Sequence, residues 1–359
     1  MWRGQMVADM AASDAGTGPN AQSAKLIIHA GFAKAGSTSI QVALMNNASA
    51  LGKQSVFQIG SDLEIGSGGT PAWTIQDAAD QRKSLTRKLI DSLAKAHPGD
   101  RIIISSENLQ EPNMPALFEG LDMYIDIHII FYFRHQFDSI PSAWKQWYSK
   151  DGTSLQDYID RCLKKGYPSY LKSVEAWANR LPRAKITVRP LVRNLLLGGG
   201  PDSDFLHQIG VDTTNMSLGD IANRSLDFSL IHLMMKNAAQ FYTGPHDVRA
   251  EQALNQLVGA KSQVPYAPII SKTLKDQIEE RFKVENLHLI SQYCEHSDPS
   301  EIYRLIMQSP RSDLKAYTEM SETEILERAF RILANGVGDQ RISNALGNLI
   351  MDQVNRSNL

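Results

Sequence analysis

Cysteine is scarce in this sequence. Cys162 and Cys294 are the two present, they stand far apart, and neither belongs to a C-x-x-C pair. That excludes a cysteine-built zinc cage or a disulfide framework and points to reduced, structural thiols. Charge of one sign is also lacking: 37 basic and 39 acidic side chains leave a formal net charge of −2. No global basic field is available for nucleic acid or an anionic membrane, so any anion site has to be built locally. Long apolar runs are missing as well. The longest, Ile125 to Phe133, is broken by Asp126 and His128 and is too short to span a bilayer. Residues 1–24 are rich in Ala, Gly, Ser, Asp and Asn and lack the apolar stretch of a signal peptide, so a disordered N-terminal segment and a cytoplasmic location are expected. His232, His246, His288 and His296 show no metal-ligand spacing, and no metal is expected.

What is present is enough for a large core: 359 residues, 42% of them hydrophobic. Four short apolar runs read as buried strands: Lys25–Ala30, Arg101–Ser105, Ile127–Phe133 and Lys185–Arg189. Helical patterns separate them, over Ser139–Tyr148, Leu155–Leu163 and Tyr170–Leu181. A further helix is expected after a Thr74–Asp77 capping box. Strands alternating with helices predict an α/β fold with a central parallel sheet, whose ligands lie beyond the strand carboxyl ends. Beyond about residue 215 the strand signals stop. Phe228–Phe241, Lys272–Tyr293, Ser300–Met307, Thr323–Leu333 and Ile342–Val354 read as helices, with a capping box at Ser321 and Glu324. Segments 51–73 and 243–271 lack periodicity and read as loops.

The first strand runs into Gly31-Phe32-Ala33-Lys34-Ala35-Gly36-Ser37-Thr38-Ser39. A glycine-rich turn between strand and helix aims backbone N–H groups and a positive helix end at one point, which is an anion site. Ser37, Thr38 and Ser39 add hydroxyls and Lys34 adds a charge. The plainer reading, a turn whose Ser and Thr merely cap the helix, does not explain a lysine inside the turn. A nucleoside-triphosphate P-loop wants G-x-x-x-x-G-K-[ST]. Gly31 and Gly36 have that spacing, but Ser37 stands where the lysine belongs, and the lysine lies at Lys34.

That displaced lysine resembles the 5′-phosphosulfate loop of sulfotransferases dependent on 3′-phosphoadenosine-5′-phosphosulfate (PAPS), which reads roughly K-[TSA]-G-[TS]-T-[ST]. Lys34-Ala35-Gly36-Ser37-Thr38-Ser39 is similar to it, with Ala35 in place of the commoner hydroxyl residue. The family's second signature is an Arg at a strand end followed eight positions later by a Ser, both on the 3′-phosphate. Arg134 and Ser142 have that spacing, although Gln136 stands where the family usually has Pro. The third is Ser105-Ser106-Glu107. In carbohydrate-type and many bacterial members, which this sequence resembles, a Glu at such a strand end is the catalytic base. Arg189-Pro190 and Asp204-Phe205-Leu206 are weaker echoes. The resemblance covers about residues 25–295; residues 296–359 match no known pattern and read as a helical C-terminal extension.

The resemblance implies a three-layer α/β/α P-loop-like fold and transfer of the sulfuryl group from PAPS to a hydroxyl or amine, releasing 3′-phosphoadenosine 5′-phosphate (PAP). Lys34, Ala35, Gly36, Ser37, Thr38, Ser39, Arg134 and Ser142 would hold the donor, with Lys34 and Glu107 catalytic and no metal required. A glycan or glycolipid acceptor is preferred, on the Glu base alone. The alternatives are a nucleotide kinase or NTPase with a degenerate loop, and a non-catalytic nucleotide-binding protein of the same fold. His29 and His128 read as hydrogen-bonded core residues, Trp144 and Trp147 as packing, and Trp73 as a stacking candidate.

Overall fold

The computed structural model describes residues 23–76, 82–219, 226–258, 267–295, 298–308 and 314–337. The expected N-terminal segment up to residue 22, the expected helix Ile342–Val354 and the side chain of Trp73 lie outside the described residues. The chain divides into two compact units. The first falls within Met1–Arg134, Ser169–Ile221 and Glu285–Met307, the second within His135–Pro168, Ala222–Val284 and Gln308–Leu359.

The first unit is built on five parallel strands: β1 (Lys25–Ala30), β2 (Val56–Gln58), β3 (Arg101–Ser106), β4 (Asp126–Phe133) and β5 (Lys185–Pro190), in the order β2-β3-β1-β4-β5. Runs such as Leu26-Ile27-Ile28 and Ile102-Ile103-Ile104 are buried throughout. A parallel sheet needs such runs because helices cover both of its faces. The expected three-layer α/β/α architecture is the one observed. β1 is central, with Ala30 opposite Ser106 on β3 and His29 opposite Ile130 on β4. Adjacent strands lie about 4.8 Å apart, so the carboxyl ends of β1 and β3 open side by side. Chain order reverses around β1, the arrangement that leaves a crevice above the sheet.

The four sequence-predicted strands are all present, and β2 is an addition within segment 51–73. Three residues, pairing with Arg101–Ile103 only, are too few to show a period. Segment 243–271, expected to be irregular, contains a helix at Arg249–Val258. Thr74 lies inside the helix Ala72–Gln76 and its hydroxyl donates to the Ser61 carbonyl, while its expected capping-box partner Asp77 lies outside the described residues.

The second unit is helical. Trp144 is fully buried and stacks on Phe228 with ring centres 5.8 Å apart, while its indole N–H donates to the Thr153 carbonyl at 2.8 Å. The Ser321–Glu324 capping box forms as expected: the Glu324 N–H donates to Ser321 Oγ at 3.3 Å and the Ser321 N–H to Glu324 Oε2 at 2.6 Å. Asp227 caps the Phe228–Lys236 helix and pairs with Arg328 at 2.6 Å.

Candidate active site

The turn after β1 is closed by the Ala35 N–H donating to the Phe32 carbonyl at 3.1 Å. Lys34 has φ 65° and Gly36 φ 88°, both left-handed. Gly36 takes that conformation without cost and caps the Ser37–Asn46 helix. Lys34 does not, since its Cβ opposes the left-handed region. A lysine held there is strain of the kind found where a loop must turn N–H groups inward for a ligand.

Two close approaches shape this turn. A Cβ on Gly31 would stand 2.1 Å from Ser37 Oγ, so the serine side chain folds back over Gly31 and would have to shift for any larger residue there. A Cβ on Gly36 would stand 2.7 Å from Pro201 Cγ. Ser37 is 2% exposed, and its hydroxyl has no hydrogen-bond partner among the described residues. A turn crowded by side chains at both glycines, with an orphaned buried hydroxyl against it, fits an anionic group. Thr38 is exposed and Ser39 half-buried at the start of the helix. Ala35 is fully buried in the hydrophobic core, so its departure from the hydroxyl pattern leaves a methyl facing inward.

Glu107 is the first residue beyond β3. It opens a 3₁₀ turn, Glu107–Gln110, in which Ser106 Oγ accepts the Asn108 N–H at 3.2 Å. That turn is held from several sides. Asn108 Nδ2 donates to the Ala72 carbonyl at 2.6 Å, the Trp177 indole donates to the Leu109 carbonyl at 3.0 Å, and Gln110 Oε1 accepts the Ala33 N–H at 3.4 Å. The last contact ties the β3 turn to the β1 turn. Burial pushes the Glu107 carboxyl above its ordinary pKa, and the positive charge of Lys34 partly opposes the shift. Lys34 and Glu107 are thus brought within electrostatic reach, as strand ends on adjacent strands should be.

Arg134 follows β4 and is half-buried, and its carbonyl accepts the Tyr170 hydroxyl at 2.7 Å. Ser142 lies half-buried in the helix Gln136–Gln146 of the second unit. Arg134 ends the first segment of the first unit. His135 caps the helix, its Nδ1 accepting the Phe137 N–H at 3.2 Å, so Gln136 occupies the first helical position. Pro is favoured there because that N–H has no helical partner. Glutamine at 136 therefore departs from the family pattern without disturbing the helix start.

One supporting network was not apparent in the sequence. Arg189 on β5 makes a two-pronged pair with Asp204, Nε to Oδ2 at 2.9 Å and Nη2 to Oδ1 at 2.6 Å. The same carboxylate accepts the Tyr132 hydroxyl at 2.6 Å and the Leu197 N–H at 2.8 Å. Asp204 lies in the helix Pro201–Gln208, so this network fixes the helix whose Pro201 presses on Gly36. The strand-end Arg189-Pro190 and the Asp204-Phe205-Leu206 run were its only signal.

His29 and His128 are buried and hydrogen-bonded as expected, His29 Nδ1 to Ser105 Oγ at 2.8 Å and His128 Nε2 to Thr187 Oγ1 at 2.9 Å. No group of three or more His, Cys, Asp or Glu side chains able to hold a metal ion occurs among the described residues, and no helix among them is long and apolar enough to cross a membrane. No family model matches the chain, and searches of curated proteins and of solved structures returned no match.

Proposed function

We propose that the chain is a PAPS-dependent sulfotransferase. The observation that carries this reading is the pairing of Lys34, inside a strained turn over an orphaned Ser37 hydroxyl, with Glu107 at the neighbouring strand end. The turn suits a phosphate, the lysine a charge developing next to it, and the carboxylate a proton. The bound donor would supply a sulfuryl group joined to phosphate through a bridging oxygen.

Ser37, Thr38, Ser39 and the N–H groups of the turn hold the 5′-phosphate, drawing on hydrogen bonding and the positive helix end. Lys34 stabilises the negative charge that grows on the leaving phosphate oxygen, the position where preorganised charge lowers a transfer barrier most. Glu107, in its carboxylate form, accepts the proton of the attacking hydroxyl or amine. Arg134 offers the 3′-phosphate a forked donor and Ser142 a hydroxyl, on the family pattern. A glycan or glycolipid is the acceptor class proposed, on the Glu base.

The test is PAP release from PAPS across an acceptor panel of sugars, lipids and small alcohols and amines. The native protein is expected to turn over at least one acceptor class. Glu107→Gln should lower kcat by about 10²–10⁴-fold with PAP affinity unchanged. Transfer that survives Glu107→Gln intact would remove the base assignment, and ATP turnover requiring Mg²⁺ would replace the reading with an NTPase.

A further inference from the structure

At the other end of the sheet, the strands of the first unit frame a cavity that the reaction scheme does not use. β3, β1 and β4 begin side by side there, with Arg101, Lys25 and Asp126 as register partners in a row. The cavity has a volume of about 510 Å³, within the range of small-molecule sites. Ile27 and His128, 1% and 2% exposed, are its most buried lining, and Gln208, Ile209 and Gly210 close one side. At about 3.3 Å of rise per residue, the six residues of β1 put it roughly 20 Å from the turn at Gly31.

Two of the charged groups around it are already committed. Arg101 Nη1 donates to the Ile209 and Gly210 carbonyls, each at 2.8 Å, and Nη2 to the Gln54 carbonyl at 2.8 Å, so the guanidinium builds the wall. Asp100 Oδ2 accepts the His97 N–H at 2.8 Å. Half-buried Lys25 and exposed Asp126 are not committed. They stand directly opposite each other on adjacent strands, where opposite charges ordinarily attract into a pair. Yet neither side chain has a hydrogen bond or ion pair among the described residues. His128 follows two residues after Asp126, on the same face of β4. Thr187 engages its Nε2, and its Nδ1 has no hydrogen-bond partner among the described residues. Burial, helped by Lys185 and Lys25, holds the ring neutral with a pKa lowered to about 4.

The lining therefore balances two cations, Lys25 and Arg101, against two carboxylates, Asp100 and Asp126. A polyanion such as a nucleotide would meet both carboxylates, and a polycation both cations. A ligand with one charge would match one of the two open groups and leave the other bare. A compact zwitterion matches both. Adjacent strands lie about 4.8 Å apart, so charges on register partners are spaced for the neighbouring carboxylate and ammonium of an α-amino acid. We propose that this cavity binds a free amino acid, its carboxylate on Lys25, its ammonium on Asp126 and within reach of His128 Nδ1, and its side chain over Ile27. Charge-assisted hydrogen bonds of this kind are about twice as strong as neutral ones. The site is separate from the turn after β1 and does not depend on the donor proposed there.

The experiment is isothermal titration calorimetry of the full chain with the free amino acids and with their N-acetyl and amide derivatives. At least one free amino acid is expected to bind with a Kd below about 1 mM, and blocking its amine or its carboxylate should weaken binding about tenfold or more. Lys25→Met and Asp126→Asn should each weaken it by a similar factor, and Lys34→Ala should leave it unchanged, with the thermal transition of each variant checking its fold. NMR of the native protein labelled at histidine needs no variant: the His128 ring signals should shift on binding, and those of His29, at the opposite end of the sheet, should not. Failure of every free amino acid to bind would overturn the proposal. Equal binding of the blocked derivatives, loss of binding in Lys34→Ala or an unmoved His128 signal would overturn it as well. None of these outcomes alters PAP binding at the turn, so the two sites stand or fall separately.

Discussion

Lys34 and Glu107 constrain each other. The carboxylate is costly to bury, and the ammonium nearby lowers that cost without removing it, so the folded-state pKa of Glu107 stays above the unfolded one. For a carboxyl raised in this way, the folded chain is favoured in its protonated form. The cost is absent below the unfolded pKa, about 4.3, and grows as pH rises through the folded pKa. Glu107→Gln is therefore expected to raise Tm at about pH 7 and to leave it unchanged in acid below the unfolded value, while activity is lost. A carboxylate kept at a stability cost is a mark of a functional position. A Tm that falls at neutral pH in Glu107→Gln would show the side chain to be structural. Lys34 fits the same pattern, as a non-glycine residue in the left-handed region beside that carboxylate. Its place inside the turn was legible from the residues alone; its conformation was not, because no local signal sets φ at a lysine.

At the scale of elements, the turn after β1 depends on a helix remote from it in sequence. Pro201 rests on Gly36, and the helix Pro201–Gln208 is anchored by Asp204, which is fully buried and accepts from Arg189, Tyr132 and Leu197. Removing one member of a buried pair leaves the other charge uncompensated, at a cost of about 3–5 kcal/mol. Asp204→Asn should show that loss in urea unfolding and should weaken PAP binding as the turn loses its backing. Unchanged PAP affinity in a destabilised Asp204→Asn protein would detach the helix from the site. This network was illegible beforehand because Arg189 and Asp204 are ordinary charges until the fold brings them together. The four long strands were legible because continuous apolar runs are what a doubly covered sheet demands. β2 was not: Val56-Phe57-Gln58 is fixed by pairing with β3, a tertiary effect stronger than any three-residue pattern. The helix Arg249–Val258 was missed for a related reason. Its neighbours Gly244, Pro245 and Asp247 read as loop formers, and they masked the periodic stretch that follows.

For the whole molecule, a net charge of −2 means that nothing draws a polyanionic nucleotide to the surface at large. On the sulfotransferase proposal, recognition falls to the few groups at the strand ends: Lys34, Arg134 and the hydroxyls and N–H groups of the turn. The sequence placed these residues by spacing, which is a property of the chain and survives whatever its tertiary arrangement.

The most direct measurement of the central claim is thermal unfolding of the native protein with PAP and with ATP, each in EDTA and in Mg²⁺, repeated for Lys34→Ala and Arg134→Ala. PAP at about 100 times its Kd should add about 2.7 kcal/mol to the native protein whether or not Mg²⁺ is present, and the gain should shrink or vanish in both variants. No stabilisation by PAP, or stabilisation by ATP that needs Mg²⁺, would contradict the account.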